Sequence, residues 1–355
     1  MKEIRLNNEE IEKIATFIEN HSIPSKESDL KQKTEDKRLE RLKKGEIIIK
    51  KKYLVDMLQL TNKKSSIQTL PLLTVLLQAK ENNLNFQWTN IDVSIEANKT
   101  IIGSGDYALC VPKKQLGEAV ASLEDENIKL NFDTEKMKLD ISDKNTLISI
   151  RECLKSEEFP LLPEKIEGES VNIQSSVLRK GIQKVLFAMS TEKYSEYLQG
   201  VNITFSEDKI EFVATARKQL AIWSFPQINN YQFSLFLSSG EIKILLLLLK
   251  MYKENEIVLT KSKDYVQLVL EDIRETFHLE NSEFPNYQTA LNMYREEYSN
   301  VILSKKQFID SLKVISKIKA PSDFAFSNNQ LIIRNENEGN VIQRKLQFNS
   351  HENIN

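Results

Sequence analysis

A unit of fixed length recurs along this chain, and no other feature narrows its fold as much. Helix openings are legible near Lys51, Lys113, Ser176, Ser238 and Ser304, in steps of 62, 63, 62 and 66 residues. A period that long predicts repeated supersecondary units, none of which can bury its apolar face alone. The expected helices cover 53–60, 114–123, 177–188, 241–252 and 305–318, flanked by strand-patterned runs such as 47–49, 128–132, 257–259 and 330–334. Two facing units would bury the apolar stripes of both helices against sheets. The fold class this predicts is α+β, with pairs of helices on antiparallel sheets.

The most sharply patterned stretch is 187–226. Val201-Asn202-Ile203-Thr204-Phe205 alternates as a half-buried strand, Ser206 to Lys209 makes a turn, and Ile210 to Thr215 forms the next strand. A third strand, Leu220 to Phe225, is stopped by Pro226. Within this stretch stand Tyr197-Leu198-Gln199-Gly200 and Val213-Ala214-Thr215-Ala216-Arg217-Lys218-Gln219-Leu220-Ala221. Thr69-Leu70-Pro71-Leu72-Leu73, Glu158-Phe159-Pro160 and Phe284-Pro285-Asn286-Tyr287 complete the set.

In frame and order, these motifs resemble the bacterial DNA polymerase III beta sliding clamp family over roughly residues 46–348. The resemblance implies domains at 46–166 and 167–291, a partial third domain at 292–355, and five of the six units of a full clamp. Residues 1–45 lie outside it, and there Ile11, Ile14, Ala15 and Ile18 give a short amphipathic helix followed by a charge-dense stretch.

Composition limits the chemistry. With 49 Lys and Arg against 51 Asp and Glu, the net charge is −2, so any nucleic-acid surface must be a segregated basic face. Nine glycines form no phosphate-cradling loop, and Cys110, Cys153 and the three histidines form no metal-spaced cluster. No catalytic pair or triad is legible, and no cofactor is expected. The run 244–249 is far short of the ~20 apolar residues that cross a bilayer. Glu3, Glu9, Glu10 and Glu12 interrupt any signal-peptide core, so the expected location is the cytoplasm.

The resemblance supplies candidate sites. The family holds duplex DNA within a ring lined by basic helices, without reading sequence. That role would fall to Lys113, Lys114, Arg179, Lys180, Lys184, Lys305 and Lys306, with Tyr197 near the partner cleft and Lys63 and Lys64 as weaker additions. The family's cleft for peptides of polymerases and the clamp loader would use Leu198, Thr215, Leu220, Ser238 and Ile242. At its centre, however, Ala216-Arg217-Lys218-Gln219 replaces aspartate-glycine-histidine-arginine, Ser238 replaces a proline, and the methionine-rich tail is missing. Client binding is therefore expected to be weak.

Head-to-tail pairing, as a homodimer or with a full-length clamp, would pair Ile148 and Ile150 on one edge with Ile342 and Leu346 on the other, beside Val314 and Ile315. The alternative function is a degenerate mobile-element paralogue that binds a host clamp or its loader and regulates replication.

Overall fold

The five expected helices form within two residues of the openings that the repeat sets. They are α1 (Lys51–Leu60), α2 (Lys113–Ser122), α3 (Ser175–Val185), α4 (Ser239–Met251) and, after an additional short helix α5 (Tyr287–Met293), α6 (Lys305–Ile315). The computed structural model describes residues 45–61, 69–192, 195–216, 218–253, 255–279, 284–293, 300–327, 330–347 and 349–351. The amphipathic helix expected in the N-terminal extension lies outside these residues, as do Lys63, Lys64 and Arg217.

The described residues fall into two compact units, Met1–Phe284 and Pro285–Asn355. In the first, one sheet of ten strands is the larger of two. Its strands are β1 (Glu46–Lys50), β2 (Thr74–Thr89), β3 (Val93–Pro112), β4 (Asn127–Asp133), β5 (Lys138–Ser142), β6 (Leu147–Ile150), β7 (Glu169–Gln174), β12 (Glu256–Lys261), β13 (Tyr265–Leu270) and β14 (Ile273–His278). The order is β6-β5-β4-β1-β3-β14-β13-β12-β7, with β2 paired to β3. The sheet therefore runs unbroken through the β3–β14 pairing, from Ile273 opposite Ala97 to Phe277 opposite Val93. A second sheet has the order β10-β9-β8-β11, formed by β8 (Gly200–Phe205), β9 (Lys209–Ala216), β10 (Gln219–Pro226) and β11 (Phe233–Ser238).

The helices of this unit lie side by side in the order α2-α1-α4-α3. Their apolar faces carry Leu54, Met57, Leu116, Val120, Leu178, Ile182, Ile242, Leu245 and Leu249, all buried in one core with the strand side chains. Local chemistry fixes the ends. Ser238 and Glu241 form a reciprocal capping box at the start of α4, where the Ser238 hydroxyl accepts from the Glu241 N–H and the Ser238 N–H donates to Glu241 Oε2 at 2.7 Å. The Ser304 hydroxyl likewise accepts from Gln307 N at the start of α6.

The second unit is smaller. β16 (Ser322–Ser327), β17 (Gln330–Asn337) and β18 (Asn340–Gln347) form a three-stranded antiparallel sheet, and β15 (Asn300–Ile302) pairs with β19 (Asn349–His351). α6 packs over β17 and β18, burying Ile315, Leu331, Ile333 and Leu346.

Candidate nucleic-acid interface

Helix starts place cations at repeated positions. Lys52, Lys114 and Lys306 are each the second residue of their helix and each is exposed. Lys52 lies beside Asp56 one turn on, and Lys114 Nζ is 3.9 Å from Glu118. These i,i+4 pairs are solvent-screened and leave the ammonium groups available to phosphates. Lys305 is exposed as well, as are Lys180 and Lys184 one turn apart on α3, whereas Arg179 is half-buried. On α4, between α1 and α3, Lys243 is also exposed. Sequence reasoning passed over Lys52 and Lys243; Lys52 was there to be found, one 62-residue period before Lys114.

Lys113 does something else. Its Nζ donates to Thr61 O at 2.7 Å and sits 5.3 Å from the centroid of the Trp88 ring. Burial pushes its pKa below the usual lysine value. The side chain ties the start of α2 to the end of α1 over a buried indole and is not presented to phosphates; here the sequence expectation is corrected.

The second sheet gathers the expected cleft residues. Leu220 on β10 stands opposite Thr215 on β9, and Ser238 on β11 stands opposite Gly200 on β8. β8 and β9 pair from Asn202 and Val213 onward, two residues from Gly200 and Thr215, so the four positions lie at one end of the sheet. A Cβ at Gly200 would meet Leu237 O at 2.2 Å, so only glycine lets β8 and β11 approach there. Thr215 Oγ1 donates to Gln219 O at 2.8 Å and closes the β9–β10 tip, and Gln219 Nε2 donates to Phe187 O at 3.2 Å. Leu198 and Ile242 are buried in the core and support this end from beneath. Tyr197 is exposed, as is Phe187, which sequence reasoning had not singled out.

The two expected pairing stretches are sheet edges among the described strands: β6 pairs only with β5, and β18 only with β17. The side chains assigned to them divide. Ile150, Ile315 and Leu346 are buried within their own units, because each faces the helix-covered side of its sheet or is the helix residue doing the covering. Ile148, Val314 and Ile342 are half-buried, while the fully presented apolar edge residues are Leu147 and Val341. Contact along these edges would fall to the backbone and to Leu147 and Val341.

The family model for the N-terminal domain of the DNA polymerase III beta subunit matches residues 45–163, and that for its central domain matches residues 172–286. The chain belongs to the DNA polymerase III beta-subunit family. Among relatives of this clamp family, the beta sliding clamp of Synechocystis sp. is 26% identical over 302 residues, 79% of this chain and 75% of that one. The Treponema pallidum beta sliding clamp is 24% identical over 243 residues, 68% of this chain and 64% of that one. In fold, the Thermotoga maritima beta subunit matches with a TM-score of 0.75 at 21% identity, covering 87% of this chain and 85% of that one. The Pseudomonas aeruginosa sliding clamp matches with a TM-score of 0.76 at 20% identity and the same coverage.

The clamp family is a non-catalytic part of the replication machinery, and none of these relatives supports the mobile-element alternative. Among the described residues no helix is long and apolar enough to cross a membrane.

Proposed function

We propose that this clamp encircles duplex DNA without reading its sequence and tethers a polymerase, and a clamp loader during loading, to the template in the cytoplasm. The observation that carries the reading is the recurrence of an exposed lysine at the second position of α1, α2 and α6, on helices whose opposite faces are apolar and packed on their sheets. A cation repeated at the equivalent point of successive repeat helices suits a phosphate backbone that presents one charge per ~1.7 Å. The division into clamp domains at 46–166 and 167–291, with 292–355 as part of a third, belongs to the same proposal. So does head-to-tail assembly through the β6 and β18 edges, with a second copy or with a full-length clamp.

Loosely held phosphates make a topological link stronger than direct adhesion. The test is retention on nicked circular DNA against linear DNA of the same length, with a clamp loader present. Retention on the circle and rapid loss from the linear molecule is the expected result. Equal retention on both, or none on either, overturns the reading.

A further inference from the structure

We propose that the second unit pairs with the same unit of a second copy, each using its α6 to cover the apolar face that β16 of the other leaves open.

The three-stranded sheet of this unit has an apolar face that its own helix covers only in part. Phe324 and Phe326 on β16 stand directly opposite Ile333 and Leu331 on β17, so the four side chains share one face of the sheet. α6 packs over β17 and β18, and Leu331 and Ile333 are buried beneath it. At β16 the same face reaches solvent: Phe324 is 45% exposed and Phe326 is 55% exposed. The buried apolar cluster described in this unit is Ile315, Leu331, Ile333 and Leu346, a small core that further cover would enlarge.

The repeats of the first unit show what belongs on such a face. α3 packs on β9 and β10 as α6 does on β17 and β18, and β8, the strand that follows α3, is covered instead by α4, the helix of the next repeat. Val201, Ile203 and Phe205 of β8 are buried there. β2, which follows α1, is likewise covered by α2, and β11, which leads into α4, pairs along β8. β16 holds the place of β8 in its own repeat, yet among the described strands it pairs only with β17. A second copy carries the parts that fit. Its α6 presents Ile309, 39% exposed, with Phe308 and Leu312 half-buried, and β15, which leads into α6, presents Ile302, 58% exposed. In a two-fold arrangement each α6 covers the other copy's β16, so one self-complementary contact fills both gaps. β16 and β18 are opposite edges of the sheet, and the β18 edge stays open to head-to-tail pairing.

The experiment measures the mass of the full chain by light scattering over a concentration series, in a background that carries Leu147→Glu and Val341→Glu to remove edge pairing. A dimer is expected in that background. Adding Phe324→Asp should raise its dissociation constant about tenfold or more, whereas Phe324→Leu should leave it within about threefold. Ile309→Asp, on the other side of the contact, should weaken the dimer as Phe324→Asp does, and an unchanged far-UV circular dichroism spectrum shows that the unit still folds. A background chain that is monomeric at every concentration, or a dimer that neither folded aspartate variant weakens, overturns the proposal. A monomer that instead takes up a full-length clamp through Phe324 gives the face to that partner and overturns it too. A background of wild-type mass in which Phe324→Asp still dissociates the dimer would sink the edge pairing alone.

Discussion

Gly181, in the middle of α3, lies so close over Phe212 of β9 that a Cβ built on it would come within 2.5 Å of the ring. Phe212 is fully buried, its ring tilted against Trp223 with centroids 5.5 Å apart, and has no room to withdraw. Gly181→Ala should gain up to ~1 kcal/mol of helix propensity and lose about 1–3 kcal/mol to overpacking. The net expectation is a lower urea midpoint, with Phe212→Leu in the same chain restoring much of it. A midpoint at or above the wild-type value would show that α3 does not seat this deeply.

Lys113 and Lys114 are neighbours with opposite duties, and substitution separates them. Lys113→Met removes a hydrogen bond of ordinary worth, about 0.5–1.5 kcal/mol, and a cation over Trp88, so stability should fall while the salt dependence of DNA binding stays put. Lys114→Glu should do the reverse, lowering the log–log salt slope by about 0.9 for each phosphate no longer neutralised and leaving stability within ~0.5 kcal/mol. A changed salt slope in Lys113→Met would return that residue to the DNA-facing set.

Acid should loosen the loop between β5 and β6. The Asp143 carboxylate accepts from Glu124 N at 2.8 Å, and from Asn145 N and Thr146 N, and these donors hold its pKa at about 2. A carboxylate depressed in the folded state contributes stability that is fully present above pH ~4 and is lost as pH falls toward 2. Thermal unfolding of Asp143→Asn should therefore show a flatter pH dependence than wild type between about pH 4 and 2. Parallel curves would mean that the carboxylate does not hold residues 124 and 143–146 together in solution.

Edge pairing is best challenged where the side chain is not also core. Ile315 is 2% exposed, so a charge there would unfold the second unit whatever its role in assembly. Leu147→Glu and Val341→Glu, at residues 68% and 49% exposed, place the charge on the edges alone. Light scattering should report a smaller species for the double variant with an unchanged melting temperature. An assembly of wild-type mass would exclude these edges as the interface.

Much of this was legible in the sequence because local and long-range signals agree. Ser238 and Glu241 announce the start of α4, and the alternation of Val201 to Phe205 announces β8. What stayed hidden depends on residues far apart. Lys113 reads as one more helix-start cation until Trp88, twenty-five positions earlier, is found beneath it. The 16-residue β2 is interrupted at Glu81, whose φ of 53° and shifted register break the alternation between Ala79 and Leu84 that would have given it away. Ile150 and Ile315 have the composition of interface residues, and only the strand and helix orientation commits them to the interior.

The β3–β14 pairing also bears on how such a chain could be rearranged. Arg274 pairs with Glu96 across the junction, Asn98 N donates to the Asp272 carbonyl, and five residue pairs close the ladder, so each repeat pair supplies backbone partners that the other lacks. Cutting within 163–168 would leave β3 and β14 each with a bare flank, prone to aggregate before it could refold. Residues 45–284 should therefore melt as one cooperative step, and a chimaera that exchanges one half with a relative must bring both sides of this junction from the same parent.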